Sequence, residues 1–282
     1  MQHTDFHHDN QLAHTHPLAG RMALKKLLML ALGLVVLVIA GFFALMHLAY
    51  NQVPGDPLYG LKTATEHLFG GMQLTSTGKV DYNITLLESR LNELNRYALS
   101  ISSSTPEKLT QIAEQSDSHT KDTLNILAGD TSLDAETRIT TLARLDSVIR
   151  AQETLSDTIK EFSSITDTVE TNEKRVNEAL KAAIADFVTQ NATDTIEHLI
   201  ANRITEISAN ISAIAPGSSA AKTVANRVSD TNEAVTDHKY ADAILAIIRA
   251  NQAIAIDGYL WNAERGPVSG VPVDNGPIPE GN

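Results

Sequence analysis

One stretch of this chain constrains everything else. From Leu27 to Met46 there are twenty residues without a charge, and the apolar run continues to Tyr50. At about 1.5 Å of rise per residue, a helix of that length covers the ~30 Å hydrocarbon core of a bilayer. Such a helix satisfies its backbone hydrogen bonds within itself, which lipid demands. Arg21, Lys25 and Lys26 precede the run, and the first charge after it is Asp56. The positive-inside bias therefore predicts a cytoplasmic N-terminus and a bulk outside the cell membrane. A cleaved signal peptide is the competing reading, with Val38-Ile39-Ala40 as its cleavage site. The apolar run passes that site through Gly41 to Met46, beyond the ~7–15 residues of a signal h-region, and so predicts a retained single-pass anchor.

Beyond residue 50 the chain holds nineteen of its 22 Lys and Arg and thirty-two of its 34 Asp and Glu. An acidic excess of that size repels nucleic acid and argues against a nucleic-acid partner. It suits a soluble outer surface, or one that draws cationic partners and loosely held divalent cations. The absence of cysteine excludes disulfides, thiolate metal sites and a thiol nucleophile.

The apolar spacing is helical throughout, and no strand pattern emerges. Residues 1–20 are expected to be a disordered, His-rich cytoplasmic tail. His7, His8, His14 and His16 are its weak metal candidates, since a flexible tail must lose entropy to gather them and no cysteine frames a site. Residues 21–50 form the anchor and 51–57, with Val53-Pro54-Gly55-Asp56-Pro57, a stiff linker. Residues 58–265 are expected to be a helical bundle and 266–282, rich in Gly and Pro, a disordered tail.

Within the bundle Leu58, Leu61, Thr65, Leu68 and Met72 mark the apolar face of a short amphipathic helix, with Pro57 in its first turn. Lys62 and Glu66 lie on its other face, four residues apart. Val80, Ile84, Leu87, Leu91, Leu94, Ala98 and Ile101 then step alternately by four and three. That seam serves an internal bundle or a dimeric coiled coil, with Glu88, Arg90, Glu93 and Arg96 off it. Thr105-Pro106-Glu107 opens a helix that Gly129 closes, and Thr131-x-x-Asp134 opens a long one running to Phe162. Later helices carry Val169 to Phe187 and Ile196 to Ile214. Pro216-Gly217 is a stop, and the last two helices part at Asp237-His238-Lys239.

The stretch Pro54-Gly-Asp-Pro-Leu-Tyr-Gly-Leu-Lys62 resembles the opening of a bacterial extracytoplasmic family catalogued as domain of unknown function 5667. In that family a membrane helix leads into a "P-L-Y-x-L-K" motif with an acid shortly after, matched by Pro57, Leu58, Tyr59, Leu61, Lys62 and Glu66. An "R-L-x-E" core on the following helix is matched by Arg90, Leu91 and Glu93. The resemblance covers residues 58–103 and implies an anchored helical protein, but no activity or cofactor travels with it. Some relatives sit behind sigma-factor regulators, which implies signalling. This chain keeps only a short tail inside. On the residues themselves, Leu58, Leu61 and Leu68 are expected to dock the first helix. Tyr59 closes the corner, and Lys62 pairs with Glu66 or Glu93.

The remaining chemistry is sparse. His67, His119, His198 and His238 fall singly on different helices, and Asp194, Glu197 and His198 make only a partial ligand set. There is no phosphate loop and no nucleophile elbow. The carboxylates sit on polar faces without sign of a raised pKa. Trp261 reads as an anchor of the last helix. The sequence thus predicts an all-α protein: one transmembrane helix, then an elongated extracytoplasmic bundle of about eight helices. Its function is that of a non-catalytic interaction or scaffold module for another envelope protein or polymer. An accessory sensor coupled to a separate membrane partner is the alternative.

Overall fold

The computed structural model describes residues 18–99, 105–211 and 217–265, with side chains between 29 and 259 of those spans. The His-rich stretch with His7, His8, His14 and His16, the 266–282 tail, Ile101 and the Trp261 side chain lie outside the described residues. Among those described, every regular element is helical: nine α-helices and one 3-10 turn. The chain divides into two compact units, Met1–Asn51 and Gln52–Asn282.

The first unit contains α1 (Leu18–Tyr50). Its segment Met29–Tyr50 has a mean hydropathy of 2.8 and is long and apolar enough to cross a membrane. The helix starts at Leu18, inside the segment expected to be a tail. Leu18, Ala19, Met22, Ala23 and Leu24 are strong helix formers, so the basic flank is helical with the apolar run.

The second unit contains α2 (Tyr59–Gly71), α3 (Ser76–Leu99), α4 (Pro106–Gly129), α5 (Ala135–Thr158), α6 (Thr166–Gln190), α7 (Thr193–Asn210), α8 (Ser219–Thr236) and α9 (Tyr240–Arg265). Local capping sets most of these limits. Thr105 is the N-cap of α4, its side chain accepting from Lys108 N, and Pro106 is the first helical residue. For α5 the expected start moves by three residues. Asp134, not Thr131, is the N-cap, its carboxylate accepting from Thr137 N at 2.7 Å and Thr137 Oγ1 at 2.6 Å. The same helix ends at Thr158, before Phe162, which turns into the core on the 3-10 turn Lys160–Phe162.

Helix α5 is the hub. It packs against α3, α6 and α9, and its consecutive residues Leu145 to Ile149 are all buried, as only an enclosed helix requires. Around it α3 packs on α4, α4 on α6, α7 on α9 and α8 on α9. The α3 seam, Val80, Ile84, Leu87, Leu91 and Leu94, lies buried in this core, so it is consumed within the chain rather than left for a coiled-coil partner.

Between α8 and α9 the chain turns through a Schellman motif. Lys239 N donates to Ala234 O at 2.8 Å and His238 N to Val235 O at 3.0 Å, with His238 at φ 56°. A histidine in this left-handed region carries steric strain that glycine avoids. After allowing for glycine's larger unfolded-state entropy, His238→Gly is expected to stabilise the protein by about 0.5–1 kcal/mol in chemical denaturation. No gain would show that the Nδ1 contact of His238 with Tyr240 Oη, at 3.0 Å, outweighs the strain.

Candidate functional site

The opening motif is built from a turn. Val53 O accepts from Asp56 N at 3.0 Å, and Asp56 Oδ2 returns the favour by accepting from Val53 N at 3.0 Å. Pro54 and Gly55 are its central residues, and Gly55 has φ 94°, the conformation a type II turn reserves for glycine. Tyr97 Oη donates to Pro54 O at 2.5 Å and ties the turn to α3. Three residues beyond the turn's end α2 begins at Tyr59, leaving Pro57 exposed ahead of the helix rather than in its first turn.

Helix α2 is inverted relative to its sequence pattern. Its fully buried residues are Tyr59 and Lys62, with Glu66 only 16% exposed in its side chain. Leu58 and Leu61 are half-buried, while Leu68 is 58% and Met72 62% exposed. The stripe that includes Leu68 and Met72 therefore does not dock; the polar face does. The reason stands opposite, on α3. Arg90 and Glu93, at 1% and 2% exposure, project beside the apolar seam and meet Lys62 and Glu66. Leu91 lies in the core behind them.

These residues form one cluster. Lys62 Nζ donates to Glu93 Oε1 at 2.5 Å and to Gln52 O at 3.2 Å. Arg90 bridges the two carboxylates, Nη1 donating to Glu93 Oε1 and Nη2 to Glu66 Oε2. Arg90 Nη1 also donates to Tyr59 Oη at 2.9 Å, and that hydroxyl donates to Gln115 Oε1 of α4 at 2.9 Å. Lys62 Nζ and Arg90 Cζ stand 5.9 and 6.0 Å from the Tyr59 ring centre. Tyr82 Oη of α3 donates to Glu66 O at 2.8 Å. Two cations thus face two anions, with a tyrosine between them and three helices contributing. Arg90 Nε is buried without a partner among the described residues.

Burial raises the Tyr59 hydroxyl pKa, and Glu93 adds to it. Burial likewise lowers the Lys62 ammonium against the pull of Glu93. It raises the Glu66 carboxyl against the pull of Arg90, so a carboxylate expected on a polar face with an ordinary pKa is shifted after all. The arrangement is one of mutual neutralisation: each charge needs the others to remain out of water.

His119 of α4 stands beside this cluster. Burial, then the charge of Arg90 and then His67, push its pKa from 6.5 down to about 4. The unfolded chain binds a proton here below pH 6.5 and the folded chain only below about 4. This contribution is therefore fully present above pH 6.5 and is lost as pH falls toward 4, by about 2–3 kcal/mol. Glu66, raised by burial, acts in the opposite sense as pH falls. His119→Asn is expected to flatten the stability profile between pH 4 and 6.5; an unchanged slope in urea denaturation across that window would refute the assignment.

A second polar cluster crosses the hub. The Asp146 side chain of α5 is wholly buried, and its Oδ2 accepts from Arg249 Nη1, from Gln252 Nε2 at 2.6 Å and from Arg150 Nε at 3.2 Å. Arg249 Nη2 reaches Asn177 Oδ1 of α6 at 2.5 Å. Asp146 Oδ1 is buried without a partner among the described residues. Asp146 was invisible to pattern reading, being hidden by α9 more than a hundred residues later.

The partial ligand set on α7 does not assemble. Glu197 accepts a hydrogen bond from Tyr240 Oη at 2.7 Å, and no group of three or more His, Cys, Asp or Glu able to hold a metal occurs among the described residues. No protein-family profile, no curated protein and no solved structure matches the chain.

Proposed function

We propose that this chain is a membrane-tethered helical interaction module of the cell envelope. Met29–Tyr50 spans the membrane with its N-terminus in the cytoplasm, and the second unit works outside as a scaffold for an envelope protein or polymer. The observation that carries this reading is the charged cluster at Tyr59, Lys62, Glu66, Arg90 and Glu93. It fastens the first helix after the apolar segment to the helical unit, with Arg90, Leu91 and Glu93 on one side and the turn before Tyr59 on the other. The resemblance to domain of unknown function 5667 fits this reading, since five of the matched residues, Tyr59, Lys62, Glu66, Arg90 and Glu93, meet in the cluster.

In-cell crosslinking from exposed positions of α6 to α8, followed by mass spectrometry, tests it. A discrete set of envelope partners is expected, absent from a control in which an unrelated soluble helical domain carrying the same crosslinking label replaces residues 52–265. An identical set from that control would overturn the proposal.

The same fastening favours one second reading, an accessory sensor that passes a change in the outer unit to a separate membrane protein through the anchor. Replacing residues 27–50 by an unrelated membrane helix then abolishes signalling. Full function with the replacement leaves the anchor a tether alone.

A further inference from the structure

The inverted packing of α2 leaves an apolar surface at its far end. Leu68, Phe69 and Met72 are 58%, 38% and 62% exposed, and Leu74, in the turn to α3, is 92% exposed. The four lie within seven residues at one corner of the second unit. Lone exposed leucines are ordinary, but four large apolar side chains on one short turn mark a surface that something covers.

Charge narrows what that is. Between Glu66 and Asp81 the chain has no carboxylate, whereas Lys79 lies in that stretch and His67 opens it. Over residues 51–282 as a whole acids outnumber bases by thirteen. In space Asp130 reaches Ser76 beside this stretch, but Arg138, which donates to Asp130 O at 3.0 Å, and Lys79 answer its charge, so the corner carries little of the acidic excess of the rest of the surface. Chain length supplies the second constraint. Eight residues separate the end of the apolar helix at Tyr50 from the start of α2, and the Val53–Asp56 turn folds four of them, so the tether is shorter than the roughly 27 Å of an extended segment. Helix α2 itself is about 20 Å long. A corner tethered this closely to a membrane-spanning segment is within reach of that segment's own bilayer.

We propose that the turn from Leu68 to Leu74 enters the headgroup and upper acyl region of the outer leaflet, as a second contact with the membrane beside the span. Apolar side chains flanked by a lysine suit that boundary. The inference rests on the reading of Met29–Tyr50 as a span. The charged cluster gives the corner its direction, because it turns Lys62 and Glu66 inward and leaves Leu68 and Met72, at the far end of the apolar stripe, outward.

The chain has no cysteine, so single-cysteine spin labels can be placed on the full-length protein without background. Labels at Leu74→Cys, Val36→Cys and Asn232→Cys, in phosphatidylethanolamine–phosphatidylglycerol vesicles, report accessibility to oxygen and to a water-soluble nickel chelate. The expected result is a shift of Leu74 toward oxygen and away from nickel, in the direction of Val36 and opposite to Asn232. Leu74 matching Asn232 while Val36 reports lipid overturns this inference and leaves the span intact. Val36 matching Asn232 overturns the span reading itself. Dipolar broadening at Leu74 that disappears on dilution with unlabelled chain makes a second copy the occupant and also overturns the proposal.

Discussion

Glu93→Ala is expected to be among the most damaging substitutions in this protein and to act first on one helix. It leaves Lys62 and Arg90, both buried, to share the single carboxylate of Glu66. Removing one partner from a buried charge cluster costs about 3–5 kcal/mol, most of it the penalty on the charges left behind. Helix α2 cannot absorb that cost, since it fully buries only Tyr59 and Lys62 and presents its larger apolar residues to the outside. Undocking α2 returns Lys62 and Glu66 to water and relieves the penalty, so local release precedes global unfolding. The paired substitution Lys62→Met with Glu93→Leu removes opposite charges together and keeps the Arg90–Glu66 pair. It is expected to cost well under half as much. Equal losses for the single and paired variants in urea denaturation would contradict the account.

Asp146→Ala is expected to be of similar size but different in kind. The aspartate sits on the central helix, wholly buried, and receives Arg249, Gln252 and Arg150, while Arg249 continues to Asn177. The substitution strands the Arg249 guanidinium between α5, α6 and α9. Its cost is about 3–4 kcal/mol. No peripheral helix can swing away to solvate Arg249, because α9 also packs on α3, α7 and α8. The loss therefore falls on the whole unit, with Tm lowered by roughly 6–14 °C. A Tm within about 2 °C of the parent would show that the cluster contributes specificity and little stability.

The two clusters also show which parts of this molecule could be read in advance. Thr105-Pro106 and Gly129 delimit α4 because caps act within a turn of the chain, and the break at Asp237-His238-Lys239 is equally local. The seam from Val80 to Leu94 was legible because a buried face repeats at helical spacing. The same rule placed Arg90 and Glu93 off the seam, as they are, but could not say that they are buried. A charge is buried when distant residues neutralise it, and Lys62 and Glu66 arrive from another helix. Leu68 and Met72 failed for the complementary reason: spacing marks an apolar stripe but not what it faces. The motif residues Tyr59, Lys62, Glu66, Arg90 and Glu93 could be named from the sequence, whereas their arrangement as one buried cluster could not. Asp146 carried no local signal at all, since its burial depends on α9.

Native-state hydrogen exchange of the full-length protein in lipid tests the central claim, that buried charges fasten the first helix after the apolar segment to the rest of the unit. The account predicts that the amides from Thr63 to Phe69 are protected in the parent protein, and that Glu93→Ala releases them while α5 amides such as Val148 and Ile149 stay protected. Rapid exchange of α2 in the parent protein, or α2 and α5 losing protection together in the variant, would contradict it.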